Sequence, residues 1–183
     1  MKLRGRTSGG KPVEVECSGG TITGITEIPG GGGDLPFITP GFLDMQVNGF
    51  RGSDYSLPDL SRDHILSIIR SLAASGTTQH TPTIVTSPAD RILRNIRVIA
   101  DLAEADADAA AAMTGIHIEG PFISGEDGPR GAHDPAFVRE PDMGEFREWQ
   151  AAAGGRIKIV TVAPERKGRS EERRVGKECR SRW

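Results

Sequence analysis

The sequence is short of cysteine and has no long apolar run, and each shortage excludes a class of protein. Its two cysteines, Cys17 and Cys179, are far apart and lack the paired spacing of a disulfide framework or a thiolate zinc site. No apolar stretch is long enough to cross a bilayer, and the pattern of a secretory signal peptide is missing. We therefore expect a cytoplasmic protein.

The charge balance is close to neutral, with a formal net charge of −2 over 183 residues. Such a small excess gives no electrostatic reason to bind nucleic acid or an anionic membrane, so we expect neither as a partner. Hydrophobic residues make up 36% and charged residues 26% of the chain, as in folded globular proteins. The length suits one ordinary domain or part of a larger one.

The stretch Gly115–Phe122, with the sequence GIHIEGPF, is the most informative part of the chain. Side chains alternate faces along a strand, so His117 and Glu119 share one face and two isoleucines share the other. Gly120-Pro121 ends the strand directly after Glu119, because proline cannot donate to a strand ladder. Glu119 is thus expected at the carboxyl end of its strand, where parallel α/β folds place catalytic groups. Alternatively, this carboxylate caps a loop or pairs with an arginine.

Two segments of different pattern are predicted before the last residues. Residues 1–36 predict a small β segment, because apolar and polar residues alternate around Val15. Residues 37–166 then show four strand patterns separated by three helix patterns, which imply right-handed crossovers and a parallel sheet. The expected fold class is therefore α/β.

A barrel explains this α/β pattern better than a doubly wound sheet does. Strands of a doubly wound sheet are apolar on both faces because helices cover both. Here Asp44, Gln46 and Asn48 share one face of the first strand, and His117 and Glu119 share one face of the third. Polar residues on an inner face are typical of a TIM-type (β/α)8 barrel, and four strands make its N-terminal half.

The helix patterns have expected starts and stops. The first helix begins near Ser61 and stops at Gly76. Ser87 and Pro88 are expected as the N-cap and first-turn proline of the second helix. The alanine-rich continuation of this helix to Ala112 is interpreted either as its fraying end or as a loose surface loop.

The last residues differ from the rest of the chain. Residues 169–183 have no apolar periodicity and resemble the in-frame translation of a common short-read sequencing adapter. We interpret residues 167–183 as a non-native tail and exclude them from the fold. By composition alone the same residues are a solvated basic tail.

Five stretches together resemble the N-acetylglucosamine-6-phosphate deacetylases of the amidohydrolase superfamily, in that family's order and spacing. They are Pro40–Gly49, Gly76–Thr78 with Thr81–Thr83, Gly115–Phe122, Gly131–Pro135 and Ala163–Glu165. Each stretch is a weak signal alone, whereas the ordered set is specific. The resemblance implies a metal-dependent hydrolase of an amino-sugar phosphate, and a homodimer for the intact parent protein. That the small β segment, residues 1–36, is part of a β-sandwich side domain is implied only by this resemblance.

The resemblance also implies roles for individual residues. Glu119 would be a ligand of one divalent metal ion, with zinc favoured, and a carboxylate oxygen suits such an ion. His133 would hydrogen-bond the substrate, with the backbone of Ala132 beside it. Considered without the family, His133 is an ordinary exposed loop histidine. His117 is expected to support the site or to pack.

Many amidohydrolases carry a His-x-His metal pair on their first barrel strand, where this chain has Gln46 and Asn48. Neutral amides are poor zinc ligands, which indicates the one-metal subtype of the family. The two amides are expected either to orient substrate or metal-bound water, or simply to hydrogen-bond inside the barrel. His64 and His80 are expected to be structural.

The chain lacks the two later histidines and the later aspartate that the resemblance implies as metal ligands and acid/base. We therefore expect an N-terminal fragment of a deacetylase that is inactive by itself. Two alternatives stay open at this point: another amidohydrolase, such as a cyclic amidase, or a non-catalytic fragment. The Gln-x-Asn pair and the GIHIEGPF strand argue against the other amidohydrolases.

Overall fold

A computed structural model describes residues 1–30, 33–163 and Glu165, and the chain divides into two compact units between Gly41 and Phe42. The predicted tail, residues 167–183, and Pro164 of the last family motif lie outside the described residues.

The first unit is an antiparallel sheet of three strands in the order β1-β2-β3. The strands are β1 (Lys2–Arg6), β2 (Pro12–Ser18) and β3 (Thr21–Glu27). Val13 and Val15 on β2 are buried, as their alternation predicts, whereas Ile22 and Ile25 on β3 are exposed. The strand β1 has no clear apolar alternation, so its sequence pattern does not predict it.

The second unit contains a parallel sheet with the strand order β4-β7-β8-β9, which is also the order along the chain. The sheet strands are β4 (Phe42–Val47), β7 (Thr77–Val85), β8 (Ile116–Glu119) and β9 (Ile157–Thr161), and a small hairpin consists of β5 (Gly49–Phe50) and β6 (Ser53–Asp54). The helices are α1 (Arg62–Ala74), α2 (Ala89–Ala105), α3 (Ala107–Ala112) and α4 (Met143–Ala152). Sequential parallel strands joined through helices are the arrangement of a (β/α) barrel.

The start of α1 agrees with its sequence signal. Ser61 is the N-cap, and its side chain accepts a hydrogen bond from the backbone N–H of His64 while His64 reaches back to the N-cap backbone. This reciprocal pair satisfies two donors that a helix start leaves unpaired. His64 is therefore a capping residue, and Ile65, Ile68 and Leu72 form the buried stripe.

The boundaries of α2 and α3 differ from the expectation. Pro88, not Ser87, is the N-cap of α2, and none of the described side chains caps this helix. The alanine-rich segment is neither a frayed end nor a loop, because α3 begins after Asp106, whose carboxylate accepts hydrogen bonds from the N–H groups of Asp108 and Ala109. Asp106 is the C-cap of α2 and the N-cap of α3, so the two are separate helices.

The apolar core lies between the sheet and its helices. Ile84, Ile116 and Ile118 point from the strands into this core. The helices contribute a larger set of buried side chains, including Ile65, Ile68, Ile92, Ile96, Ile99, Leu102 and Trp149. Among the described residues, no helix is both long enough and apolar enough to cross a membrane.

Candidate active site

Polar side chains gather at the edge where the parallel strands end. Gln46 lies near the end of β4, Glu119 ends β8, and Thr161 ends β9. On β8, Ile116 and Ile118 face the helices. Side chains alternate along a strand, so Glu119 lies on the other face of the sheet. A cavity of about 630 Å³ lies over that face. Its polar lining consists of Asp44, Gln46, Thr77, His117 and Thr161.

Glu119 accepts a hydrogen bond from an amide side chain. Its Oε2 accepts a hydrogen bond from Nε2 of Gln46 at 2.8 Å. Its Oε1 lies 3.9 Å from Nε2 of His133, and the side chain keeps 20% of its exposure. Within residues 1–30 and 33–163 no arginine comes within ion-pair distance of this carboxylate, so the structure does not support the arginine-pair alternative.

The chain turns sharply after Glu119, and glycine is required there. Gly120 has a φ of +81°, which favours glycine. A Cβ atom at this position would also lie 2.1 Å from Oγ1 of Thr86. The following Gly120–Pro121 peptide bond is cis. Gly120 therefore lets the backbone turn while Thr86 approaches closely.

The loop after this turn brings His133 back to Glu119. Nδ1 of His133 lies 2.9 Å from the Thr86 hydroxyl oxygen. Nη1 of Arg130 donates to the backbone carbonyl of His133 at 2.7 Å. The side chain of His133 is 18% exposed, so it is not the freely exposed loop histidine of the alternative interpretation. Ala132 precedes it and is exposed.

His117 is held on both sides of its ring. Nε2 lies 2.7 Å from Oγ1 of Thr161, and Nδ1 lies 3.3 Å from Oγ1 of Thr83. Burial lowers the pKa of His117, although the negative charge of Glu119 opposes this shift. With both ring nitrogens engaged by hydroxyl groups, His117 lines the cavity as a neutral, hydrogen-bonded wall residue.

Gln46 and Asn48 have different surroundings, although their spacing of two residues would place them on the same face of a strand. Gln46 contacts Glu119 directly. Asn48 lies one residue beyond β4 and is exposed, and its backbone carbonyl accepts a hydrogen bond from the N–H of Tyr55. Of the two amides, only Gln46 makes a side-chain contact with the carboxylate in the described part of the chain.

Comparison with known proteins gives one consistent result. The chain is 37% identical to the N-acetylglucosamine-6-phosphate deacetylase of Bos taurus over 143 residues, which are 74% of this chain and 32% of that protein. It is 35% identical to the Bacillus subtilis enzyme of the same name over 130 residues, which are 70% of this chain and 32% of that protein. Over this shared length the chain belongs to the N-acetylglucosamine-6-phosphate deacetylase family. No family model matches the chain.

Solved deacetylase structures confirm the fold that the family resemblance implied. The Mycobacterium smegmatis N-acetyl-D-glucosamine-6-phosphate deacetylase superposes with a TM-score of 0.73 and 27% identity, over 92% of this chain and 45% of that chain. A mutant of the same enzyme in complex with N-acetyl-D-glucosamine-6-phosphate matches with the same TM-score of 0.73. This chain spans about a third of the length of the curated deacetylases that it matches.

The donor set beside Glu119 is smaller than the one that a catalytic zinc ion needs. A catalytic zinc ion usually has three protein ligands. Among the residues that the structure describes, no group of three His, Cys, Asp or Glu side chains could hold a metal ion. The free oxygen of the Glu119 carboxylate fits one ligand position, and the neutral amide of Gln46 fits the role of a hydrogen-bond donor to it.

A third histidine lies on the opposite, helix-covered face of the sheet. His80 is almost fully buried, and its Nε2 lies 2.6 Å from the hydroxyl of buried Tyr55. Asn95 on α2 donates from its amide to the carbonyls of Tyr55 and Leu57. This network agrees with a structural role for His80, and it joins the segment after β6 to β7 and α2. Nothing local in the sequence indicates the contact between Tyr55 and His80.

Proposed function

We propose that the protein to which these residues belong is a metal-dependent hydrolase. It removes the N-acetyl group from N-acetylglucosamine 6-phosphate, giving glucosamine 6-phosphate and acetate. The observation that carries this proposal is the meeting of Glu119, Gln46 and His133 at the carboxyl ends of the strands, in a chain of the deacetylase family. The complex of the M. smegmatis enzyme supports the choice of sugar phosphate.

Each of these residues has a separate part in the proposed reaction. Glu119 holds one divalent ion, with zinc favoured, through the oxygen that Gln46 does not engage. Such an ion supplies a Lewis acid for the acetamide carbonyl and makes bound water more acidic. Gln46 fixes the carboxylate by donating its amide hydrogen. His133 hydrogen-bonds the sugar through Nε2, and the backbone of Ala132 contacts the substrate beside it.

The remaining roles are proposed on the same basis. Asn48 and His117 line the site without binding the metal. The homodimer of the parent protein is proposed from the family resemblance, and the cytoplasmic location from the sequence pattern. Neither nucleic acid nor membrane is proposed as a partner.

The test is binding of the sugar phosphate to the purified chain, measured calorimetrically with and without zinc. We expect N-acetylglucosamine 6-phosphate to bind more tightly than glucose 6-phosphate, which lacks the acetamide, and only when zinc is present. Glu119→Gln should remove the zinc dependence, whereas Glu126→Gln, at an exposed loop residue, should keep it. Equal binding of the two sugars by the zinc-loaded chain would contradict the proposed substrate.

Turnover is a separate measurement on the same preparation. We expect acetate release at background, because the described residues supply one of the three ligands that a catalytic zinc ion usually has. Release well above background would contradict the expected inactivity of this chain, while it would support the deacetylase assignment.

A further inference from the structure

We infer that Thr86 is a positioning residue for His133. Its hydroxyl fixes the imidazole so that Nε2 lies beside the Glu119 carboxylate. The inference rests on the proposed function, in which His133 contacts the sugar. It assigns to Thr86 a part in substrate binding that acts through another side chain and not through direct contact.

The position of Thr86 suits this part. It is the first residue after β7 and is buried, with 6% of its surface exposed. Its hydroxyl lies 2.9 Å from Nδ1 of His133, and it donates to the carbonyl of Glu119 at 3.4 Å. One hydroxyl therefore contacts both the loop histidine and the backbone of the proposed metal ligand.

The turn after β8 leaves room for this hydroxyl. A Cβ atom at Gly120 would lie 2.1 Å from Oγ1 of Thr86, so any other residue at position 120 would displace the hydroxyl or the turn. The absence of a side chain at Gly120 thus permits the contact between Thr86 and His133.

The backbone and the ring of His133 are held by different residues. Arg130 donates to the carbonyl of His133 at 2.7 Å, which fixes the loop but leaves the side-chain torsions free. The Thr86 hydroxyl contacts Nδ1, so Nε2 is directed to the other side of the ring, 3.9 Å from Oε1 of Glu119. A ring fixed before the ligand arrives loses less conformational entropy on binding.

The test compares Thr86→Val, which removes the hydroxyl and keeps the shape, with Thr86→Ser, which keeps the hydroxyl. Thr81→Val is the matched control, because Thr81 lies on β7 and its hydroxyl contacts Thr114 instead, at 2.8 Å. The first readout is the mobility of the His133 ring, from carbon relaxation at Cε1 in the isotopically labelled chain. The second is the dissociation constant of N-acetylglucosamine 6-phosphate in the presence of zinc.

We expect Thr86→Val to make the ring more mobile. It should also raise the dissociation constant of the sugar phosphate about fivefold to tenfold, which is the usual effect of losing one hydrogen bond. Thr86→Ser should restore both values, and Thr81→Val should leave both unchanged. A ring that stays equally ordered in Thr86→Val would overturn the inference, as would a failure of Thr86→Ser to restore it. If Thr86→Val does not fold, Thr86→Ala serves as the hydroxyl-free variant.

The two readouts separate this inference from the proposed function. Ring mobility is measured without sugar, so it tests the contact between Thr86 and His133 alone. If the hydroxyl controls the ring but the wild-type chain does not bind the sugar phosphate, the proposed role of His133 in sugar binding by this chain is contradicted and the positioning stands. If the sugar binds and the ring is indifferent to Thr86, the positioning is wrong.

Discussion

Gln46 and Glu119 lie 73 positions apart in the chain, and the Gln46 amide donates to Oε2 of Glu119 at 2.8 Å. The bond joins β4 to β8 and passes over β7, which lies between them in the sheet. Because the amide hydrogen occupies Oε2, the proposed metal ion would bind the other oxygen of Glu119, Oε1. The bond therefore both joins separate strands and limits how the carboxylate can bind a metal.

The first prediction replaces this amide with a metal ligand. Gln46→His would place an imidazole next to Glu119 and near His133, and imidazole is a good zinc ligand. We expect the zinc dissociation constant to fall by at least about tenfold, which corresponds to about 1.4 kcal/mol from the added ligand. Calorimetric titration of the purified chain measures it. In the double variant Gln46→His/Glu119→Gln the gain should disappear, and a gain that persists would show that zinc binds elsewhere.

The second prediction concerns the turn at Gly120. Gly120→Ala adds a clash with Thr86 to the strain of a positive φ, whereas Gly128→Ala, at a φ of +91° with nothing within 4 Å, adds the strain alone. We expect Gly128→Ala to lower the free energy of unfolding by about 1 kcal/mol and Gly120→Ala to lower it by at least about 2 kcal/mol. Urea denaturation compares them. Equal losses would mean that the structure relaxes around the new methyl group.

The third prediction tests the buried contact between Tyr55 and His80. Tyr55→Phe removes the hydroxyl that lies 2.6 Å from Nε2 of His80 and leaves this nitrogen without a partner in the core. We expect the free energy of unfolding to fall by roughly 1–3 kcal/mol. Urea titration at pH 7.5 measures the change. The double variant Tyr55→Phe/His80→Leu removes both partners and should lose less than the two single variants combined.

The fourth prediction is a pH dependence from His80. Burial lowers the pKa of His80 to about 4, although the negative charge of Asp44 and a hydrogen bond with the backbone of Ala112 act in the opposite direction. The unfolded chain binds a proton at His80 near pH 6.5, whereas the folded chain does not until about pH 4. Proton binding by the unfolded chain therefore lowers the free energy of unfolding as the pH falls from 6.5 toward 4, and has no effect above that range.

The expected loss is about 1.4 kcal/mol per pH unit, or about 3 kcal/mol in total, because one proton is excluded over this range. The measurement is the free energy of unfolding of the wild type and of Tyr55→Phe/His80→Leu between pH 7.5 and 4.5. As the pH falls, the free energy of unfolding of the wild type should decrease more than that of the double variant, which has no His80. A constant difference would show that His80 does not titrate in this way.

Features that depend on neighbouring residues could be predicted from the sequence. The α/β fold follows from the alternation of strand and helix patterns, and the solved deacetylases confirm it. Ser61 was expected at the start of the first helix, and the structure makes it the N-cap. Glu119 was expected at the end of its strand because Gly120-Pro121 follows, and the strand ends there. In each case a few adjacent residues contain the whole signal.

Features that depend on distant contacts could not be predicted in this way. Thr86 and His133 are 47 residues apart, and Tyr55 and His80 are 25 apart. Neither pair has a spacing that a helix or a strand makes meaningful. The prediction of Ser87 as an N-cap was wrong for a more local reason, because Pro88 takes the cap position with extended backbone angles. The separate helix after Asp106 was missed because alanine is favourable both in a continuing helix and in a new one.

The strands lie in the sheet in the same order in which the ribosome makes them. During synthesis each new strand can therefore pair with the exposed edge of the strand made before it. No earlier strand pair has to separate to let it into the sheet. The Gln46–Glu119 bond is the exception, since it forms only after β7 and three helices have been added between β4 and β8. The proposed metal ligand thus acquires its partner only after more than half of the chain has emerged.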